Sequence, residues 1–398
     1  MQASAERLLL ALVASALSLQ PLATDLYLPS LPPLARAFGV SPGLVQSTLT
    51  VFVVGFGLAQ LIAGPLSDRV GRKPVILGGS LLFVVASSIC ALAPSIPALI
   101  AGRLLQALGC CGVVVAARAV VRDRYSPADG ARLLARASTL LALAPLLGPI
   151  VGGQAQAHFG WRAGFVLQAL LALALCFAWW RQFEESHRQP DANALAPARL
   201  ARAYLEVALH PGFRAYALPS ALTYGAIFVF IAGSSFAYID ILGVSSPRYG
   251  VLFSLGVSGY LLGTVVCRRL LRRFALDRVL QGGLTLTALG GVGLWACVQL
   301  GWVSVPVVLG AQFVVMLAHG INQPCAQSSA LGPFGARAGT AAGLLGFITM
   351  AVALGVGALL AALHEDSLRP LANLSALLGL LALASGTAVN RARSALAA

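Results

Sequence analysis

The sequence predicts an all-α polytopic membrane protein with twelve spanning helices in two pseudo-symmetric six-helix halves. Three observations carry that prediction. First, the 398 residues are 58% hydrophobic and 10% charged, with a mean hydropathy of +0.85, whereas soluble domains carry about 25% charge. A spanning helix needs about 20 mostly apolar residues, so the chain has room for about a dozen with short links. Second, the basic residues fall in alternate inter-helix links. That is the positive-inside pattern, and it argues against nucleic acid as the partner of a chain with net charge +14. Third, Val75-Ile76-Leu77-Gly78-Gly79 is echoed by Val279-Leu280-Gln281-Gly282-Gly283 at the same loop-to-helix junction, as duplicated halves require.

The first apolar run, Leu8 to Leu19, follows Arg7 and has the basic start and apolar core of a signal peptide. It continues past Pro21 without a small-x-small stop, and its removal would leave an odd number of spans, so it reads as the first spanning helix. Asp25 sits deep in this run. An acid at the bilayer centre costs about 2.5–3.5 kcal/mol and is expected to face a cavity; the alternative is that Asp25 caps the outer helix end near water. Pro29, Pro32 and Pro33 fray the helix beyond it.

Two further apolar runs, Leu44–Ala63 and Val75–Ala93, flank Gly64-Pro65-Leu66-Ser67-Asp68-Arg69-Val70-Gly71-Arg72-Lys73-Pro74. So short a link makes the helices antiparallel and reads as a charged turn at a membrane surface, its glycines allowing close approach and positive φ. Helix four carries Arg103 and Gln106, three apart and on one face, so both can line one cavity. A guanidinium stays charged and can influence a nearby acid without titrating; the alternative is an arginine snorkelling to the interface. The helix ends in Arg118, Arg122, Asp123 and Arg124.

Helix five holds Ala144-Pro145-Leu146-Leu147-Gly148-Pro149-Ile150-Val151-Gly152-Gly153, whose small residues permit close packing and whose Pro149 bends the helix. Close packing with no further role is the alternative reading. Helix six ends near Trp180. The polar stretch from about Arg181 to Arg214 then reads as a surface linker with Leu200, Tyr204, Val207 and Ala208 on one helix face and Arg202 with Glu206 as a pair. His187 and His210 are expected to be solvated there. The division is thus 1–182, a six-helix half; 183–213, the linker; and 214–398, the second half.

Tyr224 and Phe228 lie one turn apart on helix seven and form either a cavity patch or lipid-facing core; Asp240 is expected near the outer surface. The loop Cys267-Arg268-Arg269-Leu270-Leu271-Arg272-Arg273 repeats the basic character of the first half without its acid-glycine core. His319, Asn322 and Gln323 on helix ten imply a watery face. His364-Glu365-Asp366 lies in the link between helices eleven and twelve. Of the 27 basic residues, only Arg36, Arg162, Arg248 and Arg369 fall on the outer side when the chain starts inside; apart from Arg103 the rest, from Arg7 through Arg188 to Arg391 and Arg393, fall on the inner side. That imbalance places both termini in the cytoplasm. The seven cysteines form no C-x-x-C pair or metal-like cluster and read as small packing residues.

The Gly64–Pro74 segment resembles the signature loop between helices two and three of major facilitator transporters, G-x-L-x-D-R-x-G-R-K/R, at every defining position. The run Thr24-Asp25-Leu26-Tyr27-Leu28-Pro29 and the A-R-A-x-V-R-D run ending at Asp123 are similar to the Bcr/CflA branch of drug:proton antiporters. Arg103, Gln106 and Gly109 match that family's R-x-x-Q-x-x-G. Helix five resembles the antiporter motif G-P-x-x-G-G, but Ala144-Pro145 stand where the broader pattern has a further glycine.

The resemblance implies the major facilitator fold and proton-coupled efflux of small, mostly apolar drugs across the bacterial inner membrane by alternating access. Bicyclomycin, amphenicols and sulfonamides are the cargo it suggests. Asp25 and Arg103 would couple the proton. The cavity would be lined by Asp25, Tyr27, Gln106, Tyr224, Phe228, Asn322 and Gln323. Gly64, Asp68, Arg69, Gly71, Arg72 and Asp123 would form a conformational latch, with Asp123 near Arg72 and Asp68 facing the start of helix eleven near Gly339. Pro145, Gly148, Pro149, Gly152 and Gly153 would be the antiporter motif. The expected partners are drug, protons and bilayer, with the chain a monomer, no cofactor or metal, and the proton gradient as energy source. The sequence holds no G-x-x-x-x-G-K-[S/T], HExxH or G-x-S-x-G, which disfavours an ATP-driven pump or an enzyme. A proton-coupled transporter of a single metabolite is the alternative with the same fold.

Overall fold

A computed structural model describes residues 2–141, 143–187, 190–363 and 367–397. Arg188 and the link residues 364–366 lie outside the described residues, as do the side chains of Arg391 and Arg393. The first span is broken: α1 (Gln2–Asp25) ends at the acid, a 3₁₀ turn covers Leu28–Ser30, and α2 (Leu31–Phe38) resumes. The prolines sit at the starts of the two short pieces, where a missing N–H costs nothing. Next come α3 (Pro42–Val70) and α4 (Arg72–Leu92). The charged segment between them is mostly helix rather than the expected turn. α3 runs through Pro65 to Val70, and the reversal falls on Gly71 alone, at φ 101°, a conformation that side-chain-bearing residues rarely adopt.

The remainder is α5 (Ile96–Arg124), α6 (Pro127–Leu141), α7 (Leu143–Phe159), α8 (Arg162–Gln182), α9 (Pro197–Leu209), α10 (Pro211–Phe236), α11 (Ser246–Leu270), α12 (Leu276–Gln299), α13 (Val305–Leu331), α14 (Ala338–Ala362) and α15 (Arg369–Ala397). Among the described residues, 11 helical segments are long and apolar enough to cross a membrane. The expected fifth span supplies the remaining one; it is described as α6 and α7, on either side of Ala142, which lies outside the described residues.

The two halves use one partner scheme. In the first, α4 packs on α5 and α8, and α3 on α5; in the second, α12 packs on α13 and α15, and α11 on α13. The sequence echo obeys it. A Cβ on Gly79 would lie 2.7 Å from the Gly109 carbonyl of α5, and one on Gly283 would overlap Asn322 of α13, while Gly78 and Gly282 face open space. The halves meet along α3 with α14 and through α7 with α11.

At the end of the bundle away from Gly71, a single apolar cluster runs across both halves, from Leu31, Leu34 and Phe165 to Phe228, Tyr249 and Leu371. Arg36 also pairs there with Asp240 at 2.7 Å. At the Gly71 end the cores are separate, one built on α1, α3, α4, α5 and α8, another on α11, α12 and α13. The apolar core is therefore shared at the far end and split at the loop end, where the halves still touch along α3 and α14 at Gln60 and Gly343.

α7 helps join the halves at the far end. A Cβ on Gly152 would run into the Leu26 carbonyl, one on Gly250 into the Pro149 carbonyl, and one on Gly153 would lie 2.5 Å from the Ser246 carbonyl. Gly152→Val is expected to cost about 1–3 kcal/mol or more through overpacking. Thermal unfolding in detergent should show a lowered transition for it, and none for Gly78→Ala, whose Cβ meets nothing.

Candidate functional site

Asp25 is buried, at 6% exposure, where α1 stops. Its carboxylate accepts a hydrogen bond from the Thr24 hydroxyl at 3.0 Å, and no ion pair to it exists among the described residues. Gly148 of α7 lets the helices close on it: a Cβ there would be 3.4 Å from the Asp25 Cβ.

Arg103 is wholly buried but does not pair with Asp25. Its guanidinium donates to the Ala23 carbonyl at 3.0 Å, the Thr48 carbonyl at 3.4 Å and Gln106 Oε1 at 2.6 Å. The carbon at its centre lies 4.3 Å from the Phe52 ring centroid and 5.0 Å from that of Tyr27. Breaking α1 orphans its last carbonyls, and Arg103 satisfies one of them as a cation at a helix C-terminus. Arg103 thus fixes the backbone two residues before the acid. Its Nη2 has no hydrogen-bond partner.

Three residues expected to line the cavity are placed inside their own halves instead. Gln106 is fully buried, and its amide donates to Ser87 Oγ at 2.7 Å and Gln168 Oε1 at 2.8 Å. Tyr27 exchanges a hydrogen bond with Thr48 at 2.8 Å and packs its ring on Phe165. Asn322 donates to Thr287 Oγ1 at 3.1 Å across the α12–α13 contact. In each case a partner on a neighbouring helix of the same half captured the polar group. Phe228 is buried against Gly357 at the α3–α14 seam.

Tyr224 and Gln323 are half-buried and belong to one group. The ring centroids of Tyr224 and Tyr260 lie 6.1 and 5.9 Å from that of His319, and Tyr260 donates to Gln323 Oε1 at 2.7 Å. His319 is 4% exposed and its Nδ1 has no partner. Sequence reasoning passed over Gln168 and Tyr260, and gave Thr24 no role beyond its place in the Thr24–Pro29 run. Gln168 carried the same signal as Arg103, a polar residue inside an apolar run.

At the loop end, Arg72 is 1% exposed. Its Nε donates to Asp123 at 2.8 Å, and its Nη1 meets Asp68 at 2.6 Å and Ser67 at 2.7 Å. Arg122 is 3.7 Å from Asp68 and also stands against Gly339 at the start of α14. Arg69 is exposed. Gly64 has room for a Cβ, its nearest neighbour being Val115 at 3.9 Å, so close approach is not what requires a glycine there.

The segment after α8, expected to be solvated, straps this cluster. Glu185 accepts from the backbone N–H groups of Arg72 at 3.1 Å, Lys73 at 2.9 Å and His187 at 2.8 Å. His187 Nε2 donates to the Asp68 carbonyl at 2.9 Å, and its Nδ1 accepts from Arg72 Nη2 at 3.4 Å. His210 caps α10, accepting from the Phe213 N–H. In α9, Val207 is buried, Tyr204 donates to the Leu61 carbonyl at 2.9 Å, and Glu206 binds both Arg202 and Arg337.

Burial raises the Glu185 carboxyl, but hydrogen bonds from His187, Lys73, Arg72 and Ser186 outweigh it and hold the group below the ordinary 4.5. A depressed folded pKa contributes stability fully present above 4.5 and lost as pH falls through the lower folded value. Glu185→Gln is therefore expected to free the strap at neutral pH, and limited trypsin digestion should cut at Arg181 or Arg199 faster in the variant. Followed by hydrogen exchange of the strap instead, the gap should close in acid, where the native carboxylate is itself protonated.

A family model described as Major Facilitator Superfamily matches residues 13–388. A bicyclomycin resistance protein homolog of Haemophilus influenzae is 28% identical over 353 residues, covering 89% of this chain and 88% of its own length. Multidrug resistance protein D of Escherichia coli is 31% identical over 329 residues, covering 82% and 81%. Among solved structures, a peptide transporter in complex with sulfate matches with a TM-score of 0.76 at 16% identity over 97% of this chain and 94% of that one. The human organic anion transporter MFSD10 matches with a TM-score of 0.72 at 20% identity, over 96% and 99%. At those identities the likeness speaks for the fold.

Proposed function

This chain belongs to the major facilitator superfamily, and from that premise we propose that it exports small, mostly apolar drugs in exchange for protons across the bacterial inner membrane. The observation that carries the reading is Asp25: a buried carboxyl at a helix break, held by one hydroxyl and packed against Gly148 of α7. Relatives named for bicyclomycin and multidrug resistance favour drugs as cargo. The aromatic group of Tyr224 and Tyr260 around His319 suits an apolar molecule with few polar atoms.

Residues 1–182 and 214–398 act as the rocking halves, joined by 183–213, and the chain works as a monomer. The basic loop end and both termini lie in the cytoplasm. With one shared core at the far end and separate cores at the loop end, cargo enters from the cytoplasmic side. Entry of cargo beside Asp25 displaces water and expels the proton, so drug and proton compete. The proton gradient supplies the work, with no cofactor. A proton falling through about 100 mV releases about 2.3 kcal/mol, and each pH unit adds about 1.36 kcal/mol. With about half a pH unit, one proton per neutral drug sustains roughly a hundredfold gradient.

Expression in a pump-deficient bacterium tests this across a drug panel. Drug accumulation is expected to fall, and an uncoupler to restore it. Saturable transport of a single metabolite with no resistance to any drug would replace the proposal with a metabolite carrier.

A further inference from the structure

Five arginines, Arg268, Arg269, Arg272, Arg273 and Arg278, cluster at the end of α11 and the start of α12, all exposed. None of them has a carboxylate partner among the described residues. Asp277, the acid beside them in sequence, accepts from Tyr216 at 2.7 Å. The equivalent junction of the first half is neutralised from within: Asp68 and Asp123 hold Arg72, Asp68 also meets Arg122, and Glu185 caps the turn. The second copy kept the cations but has Arg272 and Gln327 at the places that correspond to Asp68 and Asp123.

Three of these arginines also shape an open surface hollow of about 350 Å³, lined by Val265, Arg268, Arg269 and Arg272. Val265, Arg268 and Arg269 lie in the last turns of α11 and Arg272 in the turn that follows, so the hollow sits over the end of that helix. The apolar span Ser246–Leu270 ends here, at the depth of lipid headgroups. Leu271 at 40% and Phe274 at 43% exposure flank the arginines and offer an apolar surface to acyl chains.

We propose that this hollow binds the phosphate headgroup of an anionic phospholipid in the loop-end leaflet. Guanidinium forks match phosphate oxygens bidentately, and basic pockets at helix ends on the cytoplasmic side suit such headgroups. The lipid phosphate takes the place that Asp68, Asp123 and Glu185 fill in the first half. The site is independent of the cargo.

The test uses the purified full chain in mild detergent, titrated with short-chain phosphatidylglycerol, short-chain phosphatidylcholine or inorganic phosphate. Thermal unfolding and native mass spectrometry are the readouts. Phosphatidylglycerol is expected to bind saturably and raise the melting temperature, and the other two to do neither. Arg268→Gln with Arg272→Gln should weaken that binding at least about tenfold, as removal of two charge-assisted contacts implies. Arg132→Gln with Arg136→Gln, an equal loss of charge elsewhere on the chain, should leave it unchanged. Should the glutamine pair fail to fold, Arg268→Lys with Arg272→Lys keeps the charge, loses the forks and is expected to bind several-fold more weakly. Equal lipid binding by native and folded variant chains would overturn the proposal. So would an equal rise in melting temperature with inorganic phosphate, which would make it a simple anion site.

Discussion

Asp25→Asn is expected to abolish uphill efflux while leaving the protein folded. The substitution keeps the size of the side chain and its ability to accept from Thr24 Oγ1, the hydrogen bond seen at 3.0 Å. It removes the group that can exchange a proton. The packing that holds the site, from Gly148 of α7 and the Ala23 carbonyl bound to Arg103, does not depend on the carboxylate's charge. In proteoliposomes with an imposed pH gradient, drug accumulation by the variant should fall to the level of protein-free vesicles. Downhill exchange of labelled drug should persist, because cargo still meets the same aromatic group. Uphill accumulation at the native rate would remove Asp25 from the mechanism altogether.

Arg103→Ala is expected to be the most damaging single change to stability. Three buried acceptors, the carbonyls of Ala23 and Thr48 and Oε1 of Gln106, lose a donor at once. Gln106 Oε1 is left unsatisfied, at a cost of about 1–3 kcal/mol, the Ala23 carbonyl keeps only Gln168 at 3.5 Å, and the guanidinium's contact with the Phe52 ring is lost as well. Much of the chain should then fail to elute as a single species in detergent. Arg103→Lys keeps the charge but cannot reach three acceptors in a planar fork, so it should fold, melt lower and transport poorly. The ratio of transport to folded protein separates roles: a positioning residue for Asp25 lowers that ratio, whereas a purely structural one leaves it unchanged. An alanine variant with native melting and native transport would contradict the geometry of this network.

Much of the architecture was legible from residues near each other in sequence. Span number follows from counting apolar runs against the width of a bilayer, and the paired glycines at Gly79 and Gly283 reappear as the paired close contacts of α4 with α5 and α12 with α13. The ion pair between Arg72 and Asp123 was implied by family resemblance, and the structure brings those side chains to 2.8 Å. The site itself was harder to read. Helical spacing correctly placed Arg103 beside Gln106, but a shared face does not say which neighbouring helix that face meets. Gln106 met Ser87 and Gln168, and Asn322 met Thr287, inside their own halves.

The linker shows the same limit. A polar stretch rich in Glu, His and Arg reads as solvated when taken alone. Its docking depends on Gly71 exposing the backbone N–H groups at the start of α4, which Glu185 then caps. A donor left without an intrahelical partner is visible only once the helix end is known.

By itself the sequence determined that this chain spans a membrane as a duplicated bundle, which end of it carries the charge, and that an acid and an arginine lie among apolar residues. It could do so because bilayer insertion is decided segment by segment, by length, apolarity and charge. Only the tertiary structure decided that Arg103 grips the broken end of α1 rather than Asp25, that Glu185 and His187 strap the charged turn, and that the halves share a core at one end alone. Those outcomes turn on which buried polar group finds which partner across helices far apart in the chain, because leaving such a group unpaired in a low-dielectric interior is costly.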